Sequence, residues 1–181
     1  KINPDIFSIV DTFGVLLNKD FRNKLNLINH LLNQKISRGI HLHENLNLAF
    51  SSAQTLIDTN SFDGDIVIDT SVEGMGRAPG NLKTEFLEYY INNSTQTSRY
   101  EMEYIYSLME NEIEKLKGTL NWKNNFAYGI SAFEKVHRTY AEYLLKRGLS
   151  LKEIERLIKL IPVEKKGRFD DKIIETIYQK H

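Results

Sequence analysis

Three times in the first ninety residues a short apolar segment runs into a polar turn and then into an amphipathic stretch. This repeat constrains the fold more than any other feature of the chain. In the first unit Phe7–Val10 leads to Asp11-Thr12-Phe13-Gly14, and Asn18 is placed to cap a helix carrying Phe21, Leu25, Ile28, Leu31 and Leu32. The second unit is Gly39-Ile40-His41-Leu42-His43, followed by a helix that Asn45 can cap and whose stripe is Leu48, Ala49, Ser52, Ala53, Leu56 and Ile57. In the third, Ile66-Val67-Ile68 leads to Asp69-Thr70-Ser71, a glycine-rich loop, and a helix from near Asn81 with Leu82, Phe86, Leu87 and Tyr90. A spacing of about thirty residues is that of right-handed strand–helix–strand units. Strands this short and continuously apolar predict a parallel sheet covered on both faces. Three strands do not close a barrel, because an eight-unit α/β barrel needs ~250 residues. The fold expected is therefore either the last third of such a barrel or a small open sheet.

Residues 92–98, Asn-Asn-Ser-Thr-Gln-Thr-Ser, form a polar break with the composition of a linker. Everything after it reads as helix. Tyr104, Ile105, Leu108, Met109, Glu112, Ile113 and Leu116 keep helical spacing up to Gly118, and a second helix is predicted from Ser131 to Arg147, stopped by Gly148. Ser150 and Glu153 have the spacing of a capping box before Ile154, Leu157, Ile158 and Ile161, with Pro162 as terminator. A last helix follows Asp170 with Ile173, Ile174, Ile177 and Tyr178. These stripes read as core rather than as a cofactor box. The predicted organisation is α/β over 1–92, a linker over 93–98 and an all-helical unit over 99–181.

Charge and cysteine content exclude several classes. Lys+Arg and Asp+Glu number 24 each, so no basic excess points to nucleic acid or a membrane surface; a small-molecule or protein partner is expected instead. The chain has no cysteine, which removes disulfides, thiolate metal sites and a cysteine nucleophile, and is consistent with a cytoplasmic protein. No apolar run approaches the ~20 residues of a membrane span. The sequence opens on Lys-Ile-Asn-Pro rather than Met, just before a strand, and is expected to belong to something longer.

Chemistry-bearing residues gather at the strand ends: Asp11-Thr12, His41/His43, and Asp69-Thr70-Ser71 with its loop. In a parallel barrel all three would face one bowl, at the end where that fold keeps its chemistry. His41 and His43 stand two apart, so on a strand they share a face. Two neutral imidazoles converging from one rigid element make a divalent-metal site; the same spacing also suits two hydrogen-bonded histidines without metal. The loop Glu73-Gly74-Met75-Gly76-Arg77-Ala78-Pro79-Gly80-Asn81 can approach a ligand closely. It enters a helix whose amino end favours anions, which makes it a candidate substrate or phosphate loop. Asn81 can cap that helix or give its amide oxygen to a metal. A mixed site of two histidines, carboxylate, amide and water suits Mn²⁺ or Mg²⁺ better than a closed zinc site. His137 and His181 fall in the helical tail and are not expected at that site.

Taken together, Asp11-Thr-Phe-Gly14, His41-Leu-His43-Glu-Asn45-Leu-Asn-Leu-Ala49 and Ile68-Asp69-Thr-Ser-Val-Glu-Gly74-Met-Gly76-Arg-Ala-Pro-Gly80-Asn81 resemble the last three strands of the metal-dependent pyruvate-type aldolase and lyase barrels. That family contains the 4-hydroxy-2-oxovalerate aldolases, HMG-CoA lyases and isopropylmalate synthases. The helical tail, from Ser131-Ala-Phe133 to Asp170-Asp-Lys-Ile-Ile174, is similar more loosely to the C-terminal helical domain of the first of these. The resemblance implies a partial TIM barrel in which His41 and His43 ligate Mn²⁺ or Mg²⁺, Asn81 lies at or near the metal, and Asp11 and Asp69 support the site. It makes Gly74, Gly76, Arg77 and Gly80 part of a substrate loop. It implies a 2-oxo acid chelated through carboxylate and keto oxygen, whose enolate the metal stabilises as the adjacent C–C bond breaks or forms. It also implies that the tail contacts a second subunit or an aldehyde-processing partner.

In that family a third ligand, an Asp, follows an Arg on the first strand. No Arg-Asp pair occurs in this chain, so the polypeptide alone is predicted to be inactive. Two departures narrow the class: the cysteine that HMG-CoA lyases carry in the glycine loop is missing, and Ile130 stands where the aldolases often carry a Tyr before the Ser131 motif. Tyr128 lies two residues earlier, and the resemblance leaves the acid–base residue unassigned. Two alternatives stay open. One is a related enzyme condensing an acyl-CoA with a 2-oxo acid, against which the short helical tail argues. The other is a degenerate, non-catalytic barrel that binds a protein partner, against which the intact His41, His43 and Asn81 argue.

Overall fold

A computed structural model of the chain describes residues 4–117 and 122–181. The three apolar segments form parallel strands β1 (Ile6–Val10), β2 (Ser37–His41) and β3 (Ile66–Asp69), side by side in chain order. Their register aligns Val10, His41 and Asp69 on one rung at the carboxyl ends. The crossovers are helices α1 (Asn18–Leu31) and α2 (Ala49–Asp58), and α3 (Thr84–Thr95) follows β3. Phe21 and Leu25 of α1, Ala53 and Leu56 of α2, and Leu82 and Leu87 bury one core with Ile40 and Leu42.

Only the central strand is covered as expected. On the edge strand β1, Ile6, Phe7 and Val10 remain 48%, 40% and 55% exposed. Their side chains are of the type buried between neighbours in a parallel sheet, and the described residues offer β1 a neighbour on one side only. At the other end of β2, Arg38 is buried and held by neutral acceptors: Asn29 Oδ1 at 3.0 Å and the carbonyls of Asn33 and Ile36, with its guanidinium over the Phe62 ring.

Three expected helix caps are not caps. α1 begins at Asn18 itself, and the Asn18 amide donates instead to Ser51 Oγ at 2.9 Å, tying α1 to α2. Asn45 lies four residues before α2 and is buried. α3 starts at Thr84, three residues past Asn81. In each case the side chain makes a tertiary contact that sequence-local capping patterns do not encode. The polar stretch is a linker only in part, since α3 runs through Thr95 and turns at Gln96 in the left-handed conformation. Asn92 then pins the returning chain by a pair of hydrogen bonds with Tyr100.

Beyond it, α4 (Met102–Leu108) passes through a π-helical turn, Met109–Ile113, into α5 (Glu114–Lys117). The apolar stripe expected to be core here is mostly surface: Tyr104 is 73% exposed and only Ile113 is buried. The expected stop at Gly118 lies outside the described residues. The helix predicted over 131–147 is two, α6 (Phe126–Phe133) and α7 (Thr139–Lys146). Between them Lys135 takes φ 55° and the Val136 N–H reaches back to the Ser131 carbonyl at 2.8 Å. This is the closing turn that glycine usually provides; with lysine there, the sequence carries no visible stop. α8 (Leu151–Lys159) has the predicted reciprocal capping box between Ser150 and Glu153, and Asp170 caps α9 (Asp171–Lys180). Tyr140, Leu144, Ile154, Leu157, Ile158 and Ile174 form a second core, built from the tail alone with Ala78 of the glycine loop packed against it.

Candidate metal and substrate site

His41 ends β2 and His43 follows it, and their rings meet edge to face, 4.8 Å between centroids. The expected sharing of one side is therefore realised. Each imidazole is oriented through Nδ1. In His41 it lies 3.2 Å from Asp69 Oδ2 on the neighbouring strand; in His43 it lies 2.7 Å from the Asp11 carbonyl. A carbonyl or carboxylate oxygen only accepts, so Nδ1 is the donor in both contacts, and in the neutral rings Nε2 is the atom left to face a metal. This is the arrangement by which neighbouring acceptors prepare a histidine to ligate a metal.

The two aspartates act differently. Asp69 uses its carboxylate. Asp11 orients His43 with its backbone, while its carboxylate accepts from the Val15 and Leu16 amides at 3.1 and 3.0 Å and closes the turn after β1. Gly14 in that turn has φ +61°, and a Cβ there would lie 2.1 Å from Asn45 Oδ1.

The glycine loop returns alongside the histidine segment. Leu82 N–H donates to the Leu42 carbonyl at 3.3 Å and Glu44 N–H to the Gly80 carbonyl at 3.0 Å, which sets Asn81 opposite His43. Asn81 Nδ2 donates to the Met75 carbonyl at 3.1 Å, so its Oδ1 is the atom left with coordinating capacity. Gly74 explains the need for glycine: at φ +69°, a Cβ would meet the Asn81 carbonyl at 2.8 Å. The phosphate-loop expectation fares differently. The amides of residues 74, 75, 80 and 81 donate to carbonyls within the turn, and the Glu73 amide donates to the Glu85 carboxylate at 2.9 Å. At its two ends the loop backbone is thus a brace for Asn81, with those five amides already engaged.

The donor set fits a divalent cation as far as it goes: two imidazole Nε2 atoms and one amide oxygen. Among the described residues no cluster of three or more His, Asp or Glu side chains forms, so a carboxylate ligand is missing from this chain's contribution. The tail meets the same region from outside. Asn124 Nδ2 donates to the Glu44 carbonyl at 2.6 Å and to Asn47 Oδ1 at 2.9 Å, the Asn45 amide donates to the Tyr128 carbonyl at 3.4 Å, and the His137 ring stands edge-on to Phe13. Tyr128 is buried, which raises its phenol pKa, as does the charge of Glu142. It sits among Arg77, Arg138 and Glu142 beside the loop. Sequence reasoning read Asn45 only as a cap, gave Asn124 no role, and placed His137 in the tail without its contact to Phe13. Their neighbours in space are thirty to over a hundred residues away in sequence, and no local pattern marks them.

The family model described as HMGL-like matches residues 1–111. A curated 4-hydroxy-2-oxovalerate aldolase from Geobacillus genomosp. 3 is 35% identical over 83 residues, covering 46% of this chain and 23% of its own length. A solved structure described as "Crystal structure of the N-terminal domain of a putative aldolase from Bacteroides vulgatus" superposes with a TM-score of 0.71 at 27% identity, covering 84% of this chain and 48% of that one. The chain thus spans under a quarter of the curated relative and about half of the solved domain. With the family model covering more than half of its length, the chain belongs to the HMGL-like family.

Proposed function

We propose that this chain forms the last three strand–helix units of a TIM-type barrel, with its helical tail, in a divalent-metal-dependent aldolase or lyase acting on 4-hydroxy-2-oxo acids. The observation that carries this reading is the pair of Nδ1 hydrogen bonds, to Asp69 and to the Asp11 carbonyl, which engage Nδ1 of both rings and leave Nε2 as the nitrogen for a metal. His41, His43 and Asn81 would hold Mn²⁺ or Mg²⁺. When bound, that ion supplies Lewis-acid polarisation of the 2-oxo acid carbonyl. Asp69 and the Asp11 carbonyl orient the rings, and the braced loop keeps Asn81 facing His43. The exposed face of β1 supports the barrel reading: Ile6, Phe7 and Val10 are where a preceding strand would pair and pack. The Arg-Asp pair and carboxylate ligand of the site would come from that other part.

The test is pyruvate release from 4-hydroxy-2-oxo acids by the intact protein. Chelator should abolish turnover and Mn²⁺ or Mg²⁺ restore it, and His41→Ala or His43→Ala should each abolish it while weakening metal binding. Chelator-insensitive turnover in either variant would overturn the metal reading. The tail would serve association with a second subunit or an aldehyde-processing partner. Its deletion should lower the mass seen by light scattering or the capture of that partner, and unchanged association would leave it a purely structural role.

A further inference from the structure

A concentration of positive charge lies between the glycine loop and α7. A cleft of about 870 Å³ is lined there by Arg77, Arg138 and Lys146, with Glu142 as the one carboxylate of its wall. Glu142 is already shared between Lys146 at 2.8 Å and Arg138 at 3.5 Å. Arg138 is further pinned by donating to the Ala78 carbonyl at 2.8 Å, and its side chain is only 12% exposed. The neighbouring cleft of about 700 Å³ makes the contrast: there Glu44, Glu73 and Glu114 balance Lys83, Lys117 and Lys123. The field of the first cleft is felt nearby. Burial, then the charges of Arg138 and Arg77, push the His137 imidazole below its usual pKa. The Tyr128 phenol, kept protonated by its surroundings, adds a donor to the wall.

Cations from two separate chain regions converging on one cleft, with a single shared counter-charge, are suited to a multiply charged oxyanion, for which the guanidinium fork is the preferred contact. The cleft adjoins the metal-site residues through two links. Arg77 and Ala78 belong to the loop that positions Asn81, and the Tyr128 carbonyl accepts from Asn45, two residues past His43. We propose that this cleft binds a phosphate group carried by the aldehyde half of the substrate, so that the enzyme acts on phosphorylated rather than simple aldehydes. The site itself stands on the cleft's charge and geometry; its assignment to substrate rests on the aldolase reading above.

Two measurements on the intact protein test the two parts. In the first, inorganic phosphate is titrated calorimetrically into wild type, Arg138→Met and Lys146→Gln. Binding at millimolar phosphate or below, weakened about tenfold or more in each variant, is expected for loss of a charge-assisted contact; absent binding, or binding indifferent to both substitutions, overturns the site. In the second, kcat/KM for addition of pyruvate is compared between glyceraldehyde 3-phosphate and glyceraldehyde. A ratio of at least about ten in wild type, falling towards one in Lys146→Gln, is expected. Lys146 is a surface residue with its side chain 72% exposed, so this variant should fold even if Arg138→Met does not. A wild-type ratio near one, alongside phosphate binding that the variants weaken, shows that the cleft takes free phosphate and overturns the substrate assignment. Phosphate binding with no turnover on either aldehyde would refute the aldolase reading and the substrate assignment with it, and leave the anion site standing.

Discussion

Asp69→Ala isolates the orienting contact from the ligands themselves. In the wild-type chain the Asp69 carboxylate accepts from His41 Nδ1–H at 3.2 Å, which orients the ring and presents Nε2 as the ligating atom. Removing such a partner lowers metal affinity roughly 10–100-fold in metal sites generally. Two features place this one at the low end: the hydrogen bond is long for a charge-assisted contact, and the Asp69 side chain is 62% exposed, so solvent screens it. The expected loss is about tenfold, or ~1.4 kcal/mol. Asp69→Asn, which keeps an acceptor without the charge, should lose less. The assay is competitive titration of Mn²⁺ against a fluorescent chelator, with circular dichroism to confirm that the fold is retained. A folded Asp69→Ala protein that binds Mn²⁺ within about twofold of wild type would refute the reasoning, because the His41 orientation would then not depend on Asp69.

Other expectations concern stability. Gly14→Ala should destabilise by about 2–4 kcal/mol, since φ +61° disfavours an L side chain and the new Cβ would strike Asn45; denaturant unfolding measures it. Ile158→Ala empties a fully buried position of the tail core and should cost ~2–5 kcal/mol in the same experiment. Burial raises the Glu44 carboxyl above the usual glutamate pKa, against lowering by the Ala49 amide and Lys83. A carboxyl raised on folding stabilises the wild type less as pH climbs through the raised value. Glu44→Gln should therefore melt higher than wild type at neutral pH and lose that advantage at about pH 4 and below, by scanning calorimetry.

The parts of this molecule governed by local periodicity were legible in its residues. The three strands, the helices after them, the Ser150–Glu153 box and the Asp170 cap depend on spacings of two, three and four. So did the shared side of His41 and His43. What was not legible depended on distant chain. Asn18, Asn45 and Asn81 have capping chemistry; the first two are diverted by partners on other segments and Asn81 by the Met75 carbonyl of its own loop. Lys135 ends α6 where no glycine warns of it. The apolar spacing around Tyr104 correctly gives a helix and wrongly gives it a covered face, because periodicity reports amphipathicity and not what lies opposite. The Arg138–Glu142–Lys146 ion pairs and their convergence with Arg77 emerge only in the folded chain.

Immediately after His43, Asn124 holds the backbone at Glu44 and the Tyr128 carbonyl holds the side-chain amide of Asn45. The tail therefore works as a buttress on the peptide that carries one ligand, and thermodynamic linkage makes that relation reciprocal. If a cation at the histidine pair favours the position of residues 43–45 that the tail grips, it must tighten the tail's docking by the same free energy, and loosening of α6 must weaken the cation's hold equally. The helical tail and the histidine pair, far apart in the chain, would then report on each other: slowed amide hydrogen exchange along α6 would register metal arriving at a site that α6 itself never touches.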